Sequence, residues 1–423
     1  MRSPSREVQL VDKKRNWGEI ARNNSVTIMF VALCAVCMVF SGYAPSYVMY
    51  ELFGRLSRNA FIVLALIIPI VAGMGINFAI TIGAMAAQIS CILVLEWGVG
   101  GFAGLALAAG LTVPMAGMFG FFIGKLLNKM KGQEMIGGMI LGYFANGLYQ
   151  LLCLFIFDNI IPINNPDLTI TGSHGIANTM DLSKPGGMAG SLENLWKLPV
   201  HQAVLVFAAV IAAVLVIGYA RSHRKDMKKL VVQLVALAAV CAAAQLQVVQ
   251  SLFSMVKIPM ATFGLVALLC LMNVVLMRTR LGQQFRAVGQ NRTVANAAGI
   301  NVDKVRIIAI MISTVLAGWG QLIFVQNLGA FQTYGAHEQV GLYAGAAILV
   351  GGASVVRATN AQALLGTILF HLMFILAPAA GKNLFGNAAI GEYFRVFMCY
   401  GVIAIALVMH AWSAVSKKKK PKA

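Results

Sequence analysis

The sequence is short of charged residues, and shortest of acidic ones. Only 11% of its 423 residues are charged, and 14 Asp and Glu stand against 33 Lys and Arg. A soluble domain typically carries about 25% charged residues. This chain instead has 59% hydrophobic residues and a mean hydropathy of +0.79. The composition excludes an ordinary soluble protein and indicates an integral membrane protein.

Acidic residues are almost missing from the long apolar stretches. Glu96 stands near the end of one stretch, and Glu338 stands in or beside a predicted turn. Ion-coupled carriers usually keep a buried carboxylate for the ion. The scarcity of such carboxylates weighs against coupling to protons or sodium.

The chain also lacks the motifs of an enzyme. Gly120 and the pair Gly124-Lys125 approximate a phosphate-binding loop, but the first glycine is one residue out of register and Leu126 replaces Ser or Thr. No zinc-type or triad-type arrangement is present. We therefore expect no catalytic site, no metal site and no cofactor bound by this chain. The seven cysteines all fall in apolar stretches, where we expect them to be packing residues.

Long apolar runs are abundant. A helix needs about 20 apolar residues to cross about 30 Å of hydrocarbon, and continuous runs favour helices over the alternating strands of a barrel. We predict an all-α polytopic membrane protein with about 10 core transmembrane helices and an extra hairpin, about 12 spans in all. The expected spans are 26–51, 60–74, 78–97, 102–124, 135–157, 200–220, 230–249, 258–277, 305–325, 340–355, 361–379 and 393–412.

Basic residues are concentrated between alternate spans, at residues 2–22, 125–131, 221–229, 278–306 and 417–422. Short cytoplasmic loops carry the excess of Lys and Arg, so this distribution predicts that both termini are cytoplasmic. The net charge of +19 lies at span ends and argues against a nucleic-acid partner. The expected segments are a cytoplasmic N-terminal segment 1–25, a transmembrane domain 26–412 and a basic cytoplasmic tail 413–423. Within the domain we expect an outer loop 158–198, an accessory hairpin 199–250 and a cytoplasmic loop 278–304.

The outer loop 158–198 is rich in turn residues. We expect a short amphipathic element or a hairpin there, serving as a connector rather than as a docking site.

Polar residues inside the spans are few, and each is costly in lipid unless it faces a cavity or a neighbouring helix. Glycines interrupt the run Gly73–Gly83, which predicts a broken helix whose freed backbone groups could bind a solute. The alternative for any one polar residue is a hydrogen bond between helices. Taken together, the polar residues predict a substrate pathway that comprises Asn77, Thr81, Gln88, Asn146, Tyr149, Gln150 and Gln321. Neutral amides and one aromatic ring fit an uncharged polar solute.

A long polar and basic loop, Arg278–Arg306, separates two apolar stretches. Its segment Asn291–Ala298 predicts a short helix with Gly299 as its C-terminal cap. Such a helix could seat in a groove of a cytoplasmic partner and transmit motion to the spans. A solvated loop that only sets topology is the alternative, but it does not explain the small apolar residues in the middle.

These residues resemble a known family. The segments 278–291 and Ala297–Asn301 are similar to the coupling-helix region of the permease subunits of ABC importers for simple sugars and nucleosides, the branched-chain/ribose permease superfamily. Segments 75–88, 134–143 and 344–354 resemble further motifs of that family, and the first two favour its nucleoside branch. The hairpin 199–250 departs from the family pattern.

The resemblance implies a permease subunit of an ATP-binding cassette importer in the bacterial cytoplasmic membrane. Its expected partners are cytoplasmic ATP-binding cassette subunits that use ATP and Mg, an extracytoplasmic solute-binding protein, a second permease subunit and membrane lipid. The solute would be a simple sugar or a nucleoside, and a stand-alone secondary carrier is the alternative. The residues expected to couple this chain to the ATPase are Arg286, Gln290, Asn291, Ala295, Ala297, Ala298, Gly299, Ile300 and Asn301.

Overall fold

The computed structural model describes residues 24–170, 174–221, 227–254 and 256–419. In this part of the chain nearly all regular structure is helical. The first half contains α1 Ser25–Ser41, α2 Pro45–Ala65, α3 Ile67–Val71, α4 Ile80–Glu96, α5 Gly101–Lys129, α6 Glu134–Leu151, α7 Val200–Arg221 and α8 Met227–Ala244. The second half contains α9 Gln247–Leu252, α10 Met260–Leu276, α11 Arg280–Gln290, α12 Arg292–Ala297, α13 Val302–Leu328, α14 Val340–Val350, α15 Asn360–Phe385 and α16 Ala388–Lys419.

Helix α13 lies at the centre of the bundle, where it packs against α2, α4 and α5. Small residues allow these helices to approach closely. A Cβ on Gly83 would lie 2.2 Å from the Thr314 carbonyl oxygen, and one on Gly120 would lie 2.8 Å from the Met311 Cα. Close glycine-mediated packing is typical of helices that associate in lipid, where no hydrophobic effect drives them together.

Seven helices in the described residues are long and apolar enough to cross a membrane, or eight if α10 and α11, which are bent by 76° from each other, form one span. Four shorter apolar helices, which include α1, α4 and α14, accompany them. The chain therefore has the architecture of an all-α polytopic membrane protein. The count of 12 spans and the side on which the termini lie stay predictions, and residues 1–23 of the N-terminal segment lie outside the described residues.

The first predicted span, 26–51, is wrong in its extent. Helix α1 ends at Ser41, Gly42 adopts a left-handed φ of 67°, and α2 begins at Pro45. A left-handed glycine ends a helix, and proline favours the first turn of the next one. The apolar character continues through this turn, so hydropathy alone did not reveal it.

Four short strands join the helices at the C-terminal end of α13. Strand β1, Thr179–Asp181, pairs antiparallel with β4, Ala330–Gln332, and β2, Lys197–Pro199, pairs antiparallel with β3, Lys257–Pro259. The loop 158–198 therefore pairs with two distant segments, although a local bridge between Thr169 and Ile176 gives it part of the expected hairpin character.

Helices α7 and α8 pack against each other, at the predicted accessory hairpin. Helix α7 also contacts β2 and β3, and its Phe207 ring packs edge-on against Phe263 of α10 with ring centroids 5.7 Å apart, whereas α8 also contacts the short α9. The hairpin therefore lies at the periphery of the bundle and is joined to it through a two-stranded ladder and a small apolar cluster.

Candidate functional site

The span predicted to be broken at Gly73–Gly83 is interrupted between Val71 and Ile80. Gly73 and Gly75 have φ values of 75° and 72°, a left-handed conformation that glycine adopts without a steric penalty. Asn77 is buried and holds the turn, because its side-chain oxygen accepts from the Ala79 N–H at 3.1 Å and its amide donates to the Ser313 hydroxyl at 3.5 Å.

His337 joins two of the predicted pathway residues. It is fully buried in the turn between β4 and α14, with Nδ1 at 2.8 Å from Gln88 Oε1 and Nε2 at 2.9 Å from Asn146 Oδ1. The Tyr149 ring packs edge-on against the imidazole, with ring centroids 4.8 Å apart. Asn146 also donates from Nδ2 to Glu338 Oε1 at 3.1 Å. One imidazole therefore connects α4, α6 and the turn.

A cavity of about 290 Å³ lies beside this cluster, which we call the upper cavity. Its volume is close to the lower end of small-molecule sites, which begin at about 300 Å³. Polar groups and aromatic rings line it together, including Thr81, Tyr143, Asn146, His337, Glu338 and Tyr400. Tyr143 and Tyr400 are 79% and 52% exposed, so the cavity opens at a face of the single chain.

Thr81 and Asn146 are the predicted pathway residues that line the upper cavity. Gln88 and Tyr149 lie directly behind its wall, through their contacts with His337. The remaining three predicted residues lie elsewhere. Asn77 shapes the turn described above, Gln321 donates to the Ala336 carbonyl at 3.4 Å and so supports the His337 turn, and Gln150 is half-buried outside the described cavity linings.

A second cavity of about 510 Å³ lies towards the N-terminal end of α13, and we call it the lower cavity. It shares three lining residues, Phe78, Met139 and Ile403, with the upper cavity. These three side chains therefore form the partition between the two chambers. Among the residues predicted for coupling, Gln290 and Asn291 line the lower cavity.

A buried charged cluster connects the loop 278–304 to the broken span. Arg292 donates to Glu134 Oε1 at 2.8 Å and to the Gly73 carbonyl at 2.9 Å. Arg306, which is fully buried, donates to the same Glu134 oxygen. Gly289 fits against the turn, because a Cβ there would lie 2.1 Å from the Val71 carbonyl oxygen. Arg292, Arg306 and Gly289 were not predicted individually as site residues.

The predicted short helix of the loop is α12. The Asn291 side chain caps it by accepting from the Val294 N–H at 3.1 Å, and the Asn301 side chain caps α13 by accepting from the Lys304 N–H at 2.9 Å. Gly299 has the expected left-handed φ of 79°. Arg286 donates to the Met277 carbonyl and holds α11 against the end of α10.

The exposed side of this segment is apolar and small. Ala295 is buried and Ile300 is half-buried, whereas Ala297, Ala298 and Gly299 are exposed beside a Val294 that is 63% exposed. A shallow apolar surface remains free on the single chain.

The chain matches the family model described as branched-chain amino acid transport system / permease component over residues 48–407. It is also similar to the nucleoside ABC transporter permease protein NupC of Lactococcus lactis subsp. cremoris (strain MG1363), with 29% identity over 144 residues. That alignment covers 34% of this chain and 44% of the relative, so it spans less than half of the relative's length. No solved structure matches the chain. Because the family model covers most of its length, the chain belongs to the family of permease components of branched-chain amino acid transport systems.

Proposed function

We propose that this ABC importer permease carries a small uncharged polar solute, of the nucleoside or simple-sugar class, through the upper cavity and past the partition Phe78, Met139 and Ile403. The observation that carries the proposal is the cluster around His337, which places amide, imidazole and carboxylate groups beside exposed aromatic rings. Hydroxyl groups of a solute can bond to the amides and the carboxylate, and a planar ring can stack on a tyrosine.

The proposed direction of transport rests on the distribution of basic residues, which favours a cytoplasmic location for the loop 278–304 and both termini in a bacterial cell. The upper cavity would then receive solute from the extracytoplasmic side, where a binding protein delivers it. A second permease copy or a related permease would cover the exposed face that bears Tyr143 and complete the path. The similarity to a nucleoside permease supports nucleosides as the first solutes to test.

The proposed energy source is a pair of cytoplasmic ATP-binding cassette subunits. The exposed surface of Val294, Ala297, Ala298 and Gly299 is small enough to seat in a groove of such a subunit. Motion of the ATPase subunit would reach the solute path through Arg292, which donates a hydrogen bond to the Gly73 carbonyl in the broken span.

Glu338 provides the sharpest test, because it is the carboxylate in the lining of the upper cavity. Glu338→Gln keeps an oxygen that can accept from Asn146 but removes the charge. We expect uptake of a neutral nucleoside into cells to fall by less than about tenfold, equivalent to one hydrogen bond of about 1 kcal/mol, and to remain dependent on the ATPase subunits. Asn146→Leu should abolish uptake, since it removes both bonds to His337 and Glu338.

The matched control is Glu392→Gln, which changes a partly exposed glutamate in α16 that pairs with Arg395 away from the cavity lining. Uptake in this variant should equal that of the unmodified protein. Two results together would contradict the proposal: complete loss of uptake in Glu338→Gln, and normal uptake by the unmodified protein in cells that lack the ATPase subunits. They would indicate a proton-coupled secondary carrier.

A further inference from the structure

A groove on the bundle surface is separate from the solute path. It has a volume of about 450 Å³ and lies over α13, with α5 on one side and α10 on the other. All of its lining side chains are apolar, among them Leu105, Leu265, Leu316 and Trp319. We call it the lateral groove.

A charged pocket of about 390 Å³ adjoins one end of the lateral groove. It is lined by Arg58, Lys197 and Lys257 together with Glu51 and Glu193. One short helical turn, Glu193–Leu195, borders both spaces, since Glu193 lines the pocket and Leu195 lines the groove. The charged pocket and the lateral groove are therefore adjacent.

The depth of the two spaces matches one leaflet of a bilayer. Arg306 and Asn327 lie 21 positions apart (306 to 327) on α13, about 31 Å at 1.5 Å per residue, which equals the hydrocarbon thickness of about 30 Å. Asn327 lines the charged pocket, and Leu316, 11 positions earlier (316 to 327) or about 16 Å deeper, lines the groove. The pocket therefore lies at the membrane surface and the groove reaches the midplane.

Aromatic residues support this placement. Tyr50 lines the charged pocket and is 54% exposed, and Trp196, beside Lys197 in the chain, is 50% exposed. Tyrosine and tryptophan are enriched where the hydrocarbon meets the headgroups.

The pocket has an excess of available positive charge. Glu51 pairs with Arg55 at 3.5 Å, and Glu193 accepts from the Asn327 amide. Burial raises the pKa of the Glu193 carboxyl, although Lys197 and Arg58 oppose that rise. The Lys257 side chain is exposed and has no hydrogen-bond or ion-pair partner within the described ranges, and the Lys197 side chain donates only to Asn194, at 3.0 Å.

We propose that the lateral groove and the charged pocket bind one anionic phospholipid, with its acyl chains along α13 and its headgroup phosphate beside Lys197 and Lys257. The apolar groove fits the acyl chains, and the charged pocket fits an anionic group. The two spaces meet at the depth at which the headgroup of a phospholipid is attached to its acyl chains. A second copy of the chain would fill the groove but would not require cations at its end.

The test is titration of phosphatidylglycerol into the full chain, purified and delipidated in detergent, with bound lipid counted by native mass spectrometry. Lys197→Gln combined with Lys257→Gln should weaken the affinity about thirtyfold, since each lysine contributes about a fivefold factor towards an anionic headgroup. Lys382→Gln, an exposed lysine at the end of α15, is the matched control and should bind normally.

Ala106→Trp tests the apolar part independently, because Ala106 lines the groove and a large side chain there would fill it. Ala103→Trp places the same side chain at an exposed position on α5 outside the groove lining. We expect Ala106→Trp to remove the bound lipid and Ala103→Trp to retain it, with both variants eluting as monodisperse species.

Three results would overturn the proposal. The first is equal affinity for phosphatidylglycerol in the double lysine variant and in the Lys382→Gln control. The second is binding of zwitterionic phosphatidylcholine as tight as that of phosphatidylglycerol. The third is that Ala106→Trp converts a dimer to a monomer and leaves lipid binding unchanged. That result would indicate that a second copy of the chain occupies the groove.

Discussion

Gly289 allows α11 to contact the turn between α3 and α4. A Cβ at this position would lie 2.1 Å from the Val71 carbonyl oxygen and 3.1 Å from the Gly73 backbone nitrogen. We predict that Gly289→Ala forces the two backbones apart at a cost of about 1–3 kcal/mol in the free energy of unfolding. If this contact transmits the motion of the ATPase, nucleoside uptake should fall about tenfold or more while ATP hydrolysis by the assembled importer continues.

Gly264→Ala is the control, because Gly264 lies in α10 and a Cβ there would meet no atom within 4 Å. Its thermal unfolding and its uptake should match those of the unmodified protein. Normal uptake per ATP hydrolysed in Gly289→Ala would show that the close approach is packing alone.

The sequence predicted single polar residues of the site better than their grouping. Asn146, Tyr149 and Gln88 were expected in a pathway because polar groups inside apolar spans are costly, and the structure gathers all three around His337. His337 itself was not among the predicted pathway residues. Its importance depends on the turn folding back between α4 and α6, and no local pattern in the sequence encodes that contact.

At the scale of elements, the Glu134 cluster ties three helices to one carboxylate oxygen. Arg292 of α12 is 35% exposed at its side chain, whereas Arg306 of α13 is fully buried. We predict that Arg292→Gln costs about 1 kcal/mol of stability, since a partly exposed ion pair contributes little. Glu134→Ala should cost about 3–5 kcal/mol, because it leaves the Arg306 guanidinium buried without its counterion. Thermal unfolding of the purified variants measures both effects.

The Arg292→Gln variant also separates coupling from stability. Arg292→Gln breaks the bond from α12 to the Gly73 carbonyl but retains the Arg306–Glu134 pair. We expect this variant to fold, to hydrolyse ATP in the complex and to transport poorly. Arg280→Gln, at an exposed position of α11, serves as the control and should transport normally. Equal transport by the two variants would contradict a coupling role for Arg292.

Helices were easier to predict than the other elements, and the reason is physical. Each helix satisfies its backbone hydrogen bonds within one segment, so the composition of that segment is enough to predict it. Most of the observed helix boundaries lie within a few residues of the predicted ones. The strands β1 to β4 have three residues each and obtain their hydrogen bonds from segments far away in the chain. Helix α11 was not predicted, because its few buried residues lie on one face of a segment that is polar overall. Such a segment has the composition of a solvent-exposed loop.

At the scale of the whole molecule, the hairpin of α7 and α8 is attached through strands whose ends lie side by side. Pro199 is paired with Lys257 in the β2–β3 ladder, so the chain leaves and re-enters the bundle at adjacent positions. An antiparallel pair of strands can be closed by a two-residue Asn-Gly turn. We predict that replacing residues 200–256 by Asn-Gly yields a chain that inserts, remains monodisperse and transports nucleoside at a rate within about threefold of the full chain.

The physical reason is that neither α7 nor α8 contributes to the linings of the upper and lower cavities or to the Glu134 cluster, and neither packs extensively against the central helix α13 in the described part of the chain. Some stability should be lost, because Val200 and Ala203 of α7 pack with Val256, Ile258 and Met260 in a small apolar cluster. A matched deletion that removes 200–256 but joins Pro199 directly to Lys257 should be less stable, because these two residues must leave the ladder to form the turn. Loss of transport in a well-folded Asn-Gly variant would instead assign the hairpin a part in the assembled importer, such as contact with the second permease subunit.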